Sequence, residues 1–210
     1  SFKSAGFNNP ISLIEKFPQI VGLDINRVIV LLQSAGFNNP ISLIEKFPQI
    51  ASLDISRVQR KIQLIQRLNQ RFQLNLNSIE IIEKTPAYLS YDLKRIFLYL
   101  RIAGFYNIDE KFYKRLIIMN PFIVFNILYD LYLQNKIFDR NEFKKLFSRA
   151  VKFPKEIKQK IQNAIENNLP QIIEDLRQRQ NDGNARFLLK LANHLEALLN
   201  KKIKKKSNRT

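Results

Sequence analysis

Nine residues after Pro18, Pro48 and Pro86 stands an arginine in each case: Arg27, Arg57 and Arg95. A guanidinium is a permanent cation whose fork of N–H donors matches phosphate geometry. A row of them at one position of a repeat suits a regularly spaced polyanion, recognised rather than transformed. Asp24, Asp54 and Asp92 precede these arginines by three residues, so pairing within the helix is an equally direct reading. The two readings are compatible, because an Arg held by an Asp still offers a free N–H edge.

A second group of cations lies on the segment from Ile55 to about Phe72. Arg57, Arg60, Lys61, Arg67 and Arg71 alternate there with Gln59, Gln63, Gln66 and Gln70. Helical periodicity puts Val58, Ile62 and Ile65 on the core side and the cations opposite or beside them. No acidic residue occurs between Asp54 and Glu80. A merely solvated helix face usually mixes both signs, so this stretch favours an anionic partner. Lys94 and Arg101, seven residues apart, extend the same face into the next unit. The candidate nucleic-acid contacts are therefore Arg27, Arg57, Arg60, Lys61, Arg67, Arg71, Lys94, Arg95 and Arg101.

Whole-chain charge agrees with these local signals. The 210 residues carry 35 Lys+Arg against 18 Asp+Glu, a formal charge of +17. Residues 51–100 hold 8 basic and 4 acidic groups, and residues 151–210 hold 14 and 6, so the bias is not confined to the Lys-rich end. Such a field draws polyanions: DNA, RNA or an anionic surface. Catalytic chemistry finds little to work with. There is no cysteine, and His194 is the sole histidine. No phosphate-cradling glycine loop or metal-ligand spacing occurs. The sequence predicts no enzyme, no cofactor or metal, no small-molecule substrate, no membrane span and a monomer. The aromatics, 16 Phe and 7 Tyr, cluster mid-chain. At helical spacing they read as core ahead of base-stacking platforms.

The elements that position the cations are set by a repeat. Residues 4–20 and 34–50 are identical, an offset of 30. Looser copies place marker prolines at Pro18, Pro48, Pro86, Pro121 and Pro154, with spacings of 30, 38, 35 and 33. These periods predict an all-α fold: a right-handed or curved α-solenoid of helix–turn–helix repeats over residues 1–180. Asn9 before Pro10 reads as a helix start, and Pro18 ends that helix. Asp24 caps a second helix that buries Ile25, Val28, Ile29 and Leu32, and Gly36 closes it. The same grammar recurs at Asp54 and at Asp92, where Gly104 is the expected closing glycine. Asp139 and Glu142 pattern as a capping box. Residues 181–200 are expected to form a capping helix, with Phe187, Leu188, Leu191, Ala192 and Leu195 on one apolar face. Residues 201–210 are expected to be a basic disordered tail.

The unit resembles the repeat of the mitochondrial transcription termination factor (mTERF) family. FPQIVGLDINRV, FPQIASLDISRV and TPAYLSYDLKRIFLYLRIAGF carry the resemblance, through a central P-x-hydrophobic step and an L-x-x-x-GF junction, over about residues 4–168. It implies a superhelix of triplets, two α-helices and a short 3₁₀-like turn, that binds nucleic acid along a basic groove. It also implies organellar work in transcription, RNA processing or ribosome assembly, hence a mitochondrion or other organelle; without it the chain reads as intracellular. The expected function is nucleic-acid binding, with double-stranded DNA favoured over RNA. The alternative is an α-solenoid protein-interaction scaffold binding an acidic partner.

Overall fold

Asn39 shows how a unit begins. Its side chain accepts a hydrogen bond from the Ser42 N–H at 3.0 Å, and Pro40 occupies the first helical position, where a missing N–H costs nothing. The resulting helix ends at Lys46, because Phe47 adopts φ −142° and Pro48 cannot continue it. Pro48 instead opens a five-residue 3₁₀ turn, after which Leu53 is extended and Asp54 leads into the second helix.

The computed structural model describes residues 2–71, 73–74, 76–91 and 93–207, without the side chains of Lys94 and residues 202–206. Among the described residues the secondary structure is eleven α-helices and three 3₁₀ turns, with no strand. They are α1 (Pro10–Lys16), a 3₁₀ turn (Pro18–Gly22), α2 (Ile25–Ser34), α3 (Pro40–Lys46), a 3₁₀ turn (Pro48–Ser52) and α4 (Ile55–Arg71). Next come α5 (Ser78–Lys84), a 3₁₀ turn (Pro86–Ser90), α6 (Leu93–Phe105), α7 (Glu110–Ile118) and α8 (Pro121–Leu133). Helices α9 (Arg140–Val151), α10 (Lys155–Gln178) and α11 (Gly183–Ser207) complete the chain.

Contacts divide the chain into two compact units, residues 1–101 and 102–210. The first holds two complete helix–3₁₀–helix copies and the third as far as residue 101 of α6. Its core is built from equivalent positions: Leu13, Leu43 and Ile81 from the first helices, and Ile20, Ile50 and Tyr88 from the 3₁₀ turns. From the second helices come Leu32, Ile62 and Leu100. Asp24 caps α2 through the Arg27 N–H as expected, whereas Asp92, the expected third cap, lies outside the described residues.

Consecutive copies are joined by side chains as well as by the chain. The Asn8 N–H donates to Glu45 Oε1 at 2.8 Å, and the Asn38 N–H donates to Glu83 Oε1 at 3.1 Å. A Cβ at Gly6 would lie 3.3 Å from Ile41 Cδ1, and one at Gly36 would lie 3.5 Å from Ile79 Cδ1. Both glycines have positive φ, +91° and +96°. Gly36 closes α2 in the expected manner: its N–H reaches Gln33 O, and the Phe37 N–H reaches Leu32 O.

The second unit packs α8 against α9, α10 and α11. Phe122, Ile123, Val124, Phe125, Ile127, Leu128 and Leu131 are all buried, which covers almost every side of α8. Tyr106 stacks on Phe143 with ring centroids 4.0 Å apart, and its hydroxyl donates to Ile137 O at 2.7 Å. Tyr99, Tyr106, Tyr113, Phe122 and Phe125 are thus core, whereas Phe105 and Phe138 are exposed. No single helix among the described residues is long and apolar enough to cross a membrane.

Four expectations are corrected here. Gly104 does not close α6; it lies inside it. Asn107 closes the helix at φ +46°, with the Ile108 N–H on Ala103 O, because Asn tolerates the left-handed region almost as Gly does. Pro121 and Pro154 do not start 3₁₀ turns. Asn120 caps α8 through the Phe122 N–H at 2.9 Å, and Pro121 then opens thirteen helical residues. After Pro18 and Pro48 an N-capping Asp follows within six residues, and Pro121 has no such breaker so close. Pro154 is itself the cap residue of α10, which runs 24 residues and contains Pro170. Finally, α11 continues as far as Ser207, so residues 201–207 extend the capping helix and are not a separate disordered tail.

Candidate nucleic-acid interface

The starts of α2 and α4 face the 3₁₀ turn of the next copy, and a cleft opens at each. The first is a cavity of about 260 Å³ whose lining includes Leu23, Asp24, Arg27, Val28, Ala51, Leu53 and Ile55. The second is about 540 Å³ and is lined by Leu53, Arg57, Val58, Arg60, Lys61, Leu89, Ser90, Tyr91 and Leu93. Several positions are equivalent: Leu23 and Leu53, Arg27 and Arg57, Val28 and Val58. Each cleft therefore has an apolar floor and an arginine at the same place on its rim.

Arg27 and Arg57 differ in their neighbours. Arg57 has a side chain 76% exposed, with Nε 4.0 Å from Asp54 Oδ2. That is a loose, solvent-screened pair. Among the described residues no ion pair engages Arg27, which is also exposed. The i, i+3 aspartates serve the backbone more than the arginine side chains. Asp54 accepts from Ser56 Oγ at 2.7 Å and from the Ser56 N–H at 2.9 Å.

These Ser56 bonds, with Arg57 adding, hold the Asp54 carboxyl below its ordinary 3.8. A carboxylate depressed in the fold stabilises it above the unfolded pKa and loses that contribution as pH falls through the folded value. A carboxyl NMR titration should place Asp54 below 3.8, and Ser56→Ala should move it back up. No movement on removing Ser56 would mean that the serine does not hold the carboxylate.

Helix α4 carries the longer row. Arg60, Arg67 and Arg71 are spaced seven and four residues apart, so they share one face over about 16 Å of helix. All three are exposed, and Arg60 donates to Ser56 on its own helix through Nε at 3.2 Å. That length matches about five phosphates of one duplex strand. The structure brings Arg57, Arg60, Arg67 and Arg71 onto the outer side of α4, away from buried Val58, Ile62, Ile65 and Leu68.

Other expected contacts are placed differently. Lys61 is half-buried and turns toward the next copy, where Nζ donates to Leu89 O and, at 2.7 Å, to Tyr91 O. Its ammonium is thus held by carbonyls at the end of a 3₁₀ turn, on the wall of the cleft that Arg57 and Arg60 also line. Arg95 lies with its guanidinium carbon 3.8 Å from the Tyr91 ring centre and 5.3 Å from that of Tyr99. A cation between two ring faces is partly desolvated and held in place. Tyr99 is fully buried, and this burial pushes its phenol well above the ordinary range. The expected row Arg27, Arg57, Arg95 is accordingly two exposed arginines and one packed arginine. Arg101 is half-buried, and the side chain of Lys94 lies outside the described residues.

The clefts and the tyrosine bed of Arg95 were not read from sequence. The recurrence of Leu23 and Leu53, beside Arg27 and Arg57, was the available signal for the clefts. Among the described residues no three His, Asp or Glu side chains gather as a metal site. Comparison with protein-family models, curated proteins and solved structures found no match to this chain.

Proposed function

We propose that this chain is a nucleic-acid-binding repeat protein of the α-solenoid type, with duplex DNA favoured over RNA. The carrying observation is the exposed arginine that recurs at the rim of two equivalent clefts, Arg27 and Arg57, continued along α4 by Arg60, Arg67 and Arg71. The sequence holds no acidic residue between Asp54 and Glu80, so cations outnumber carboxylates along α4, which suits phosphate. The α–3₁₀–α unit is also the triplet that the mTERF resemblance implies, and this supports a role in regulating or terminating transcription.

The test is fluorescence anisotropy of the purified chain with mixed-sequence duplex DNA, single-stranded DNA and RNA at two salt concentrations. Tight binding with a log–log salt slope of about −3 or steeper is expected, from four or more phosphates neutralised. Weak, salt-insensitive binding to all three would end this reading and leave the scaffold for an acidic protein.

A further inference from the structure

Residues 4–20 and 34–50 are identical in sequence but not in surroundings. In the second copy, Ile41 packs against Gly6, Ile44 is 0% exposed, Glu45 accepts from the Asn8 N–H, and Ala51 is 7% exposed. The third copy repeats this with Ile79 on Gly36, Ile82 fully buried, and Glu83 accepting from the Asn38 N–H. At the same positions of the first copy, Ile11 is 72% exposed, Val21 is 61% exposed, Glu15 is exposed and Ile14 is only half-buried. One contact surface thus appears three times, twice covered and once open.

We propose that the open face formed by Ile11, Ile14, Glu15 and Val21 is a docking face for one further repeat unit of the same kind. The complement is defined by the two covered cases. It is a turn with glycine at positive φ, which lets the isoleucine approach, followed by Phe-Asn-Asn-Pro, whose first asparagine N–H meets the glutamate. Ser4-Ala5-Gly6-Phe7 repeats the Ser34-Ala35-Gly36-Phe37 closure of α2, and the Phe7 N–H reaches Phe2 O as the Phe37 N–H reaches Leu32 O. A copy of residues 4–33 inserted before Ser4 would therefore meet it in the register seen at Ser34. The face selects its occupant by an apolar knob and one charge-assisted hydrogen bond, and neighbour contacts of this sort set the stability of stacked repeats.

The experiment inserts a second copy of residues 4–33 immediately before Ser4 and compares unfolding of the extended and original chains. The extended chain should unfold at a higher temperature, and the added copy's counterpart of the Asn8 amide should exchange about tenfold more slowly than an open loop amide. Ile11→Asp should abolish the gain in the extended chain while leaving the original chain's midpoint nearly unchanged. Aspartate suits the first turn of a helix, so any loss is not a helix effect. An extended chain that gains nothing, or whose gain survives Ile11→Asp, overturns the proposal. So does an equal loss from Ile11→Asp in the original chain. Self-association of the original chain that Ile11→Asp abolishes would give this face to a second copy instead.

Discussion

Changing Arg57, Arg60 and Arg67 together to glutamate is expected to weaken duplex binding by about two orders of magnitude at 0.1 M salt. Each phosphate neutralised contributes about 0.9 to the slope of log affinity against log salt, so three contacts contribute a factor of a few hundred at that salt. The slope itself should flatten by about 2–3, because the counterions those contacts released are no longer displaced. Stability should hardly change. Arg57 and Arg67 are exposed, Arg57 lies 4.0 Å from Asp54, and Arg60 bonds to Ser56 on its own helix. Exposed substitutions of that kind usually stay within about 0.5 kcal/mol. Circular dichroism on the same preparation supplies the control. An intact fold with unchanged affinity and slope would remove this face of α4 from the interface.

The second large effect lies one residue from Arg60 and has the opposite character. Lys61→Met should cost about 1.5–3 kcal/mol of stability, the range for hydrogen bonds to a charged group, because it strands the Leu89 and Tyr91 carbonyls. For a chain of this length that lowers the thermal midpoint by about 5–10 °C. Per folded molecule, affinity for DNA should change little, since the ammonium is held by the Leu89 and Tyr91 carbonyls of the next repeat. Arg60→Met is the matched comparison, with a neighbouring cation and no cross-repeat bond. Equal midpoints for the two variants would show that the Lys61 contacts contribute nothing, whereas a salt slope flattened by Lys61→Met would return it to the interface.

Lys61 and Arg60 also mark where sequence reasoning stopped. On a helical projection both are cations beside an apolar face. What separates them is two carbonyls 28 and 30 residues further along the chain, which only stacking of copies brings near. Arg95 differs from Arg27 and Arg57 for a related reason: the third copy supplies Tyr91 and Tyr99 where the first supplies Leu23 and Leu31. The repeat frame identified all three arginines, but the residues around each one decided how it is used.

Helix starts and stops were legible in residue order. Asn9 and Asn39 cap, Pro18 and Pro48 stop, Asp24 restarts and Gly36 closes, because each acts on backbone groups within four or five residues. Where the signal was a single residue type, as for Gly104 or Pro121, the neighbouring Asn107 and Asn120 set the outcome through backbone bonds of their own. Burial and partnership followed from packing between copies. Seventeen identical residues, 4–20 and 34–50, form the same helix and the same 3₁₀ turn, yet Ile44 is sealed and Ile14 is not. Local hydrogen bonds depend on the chain's own order, whereas exclusion of water depends on what another copy lays over it.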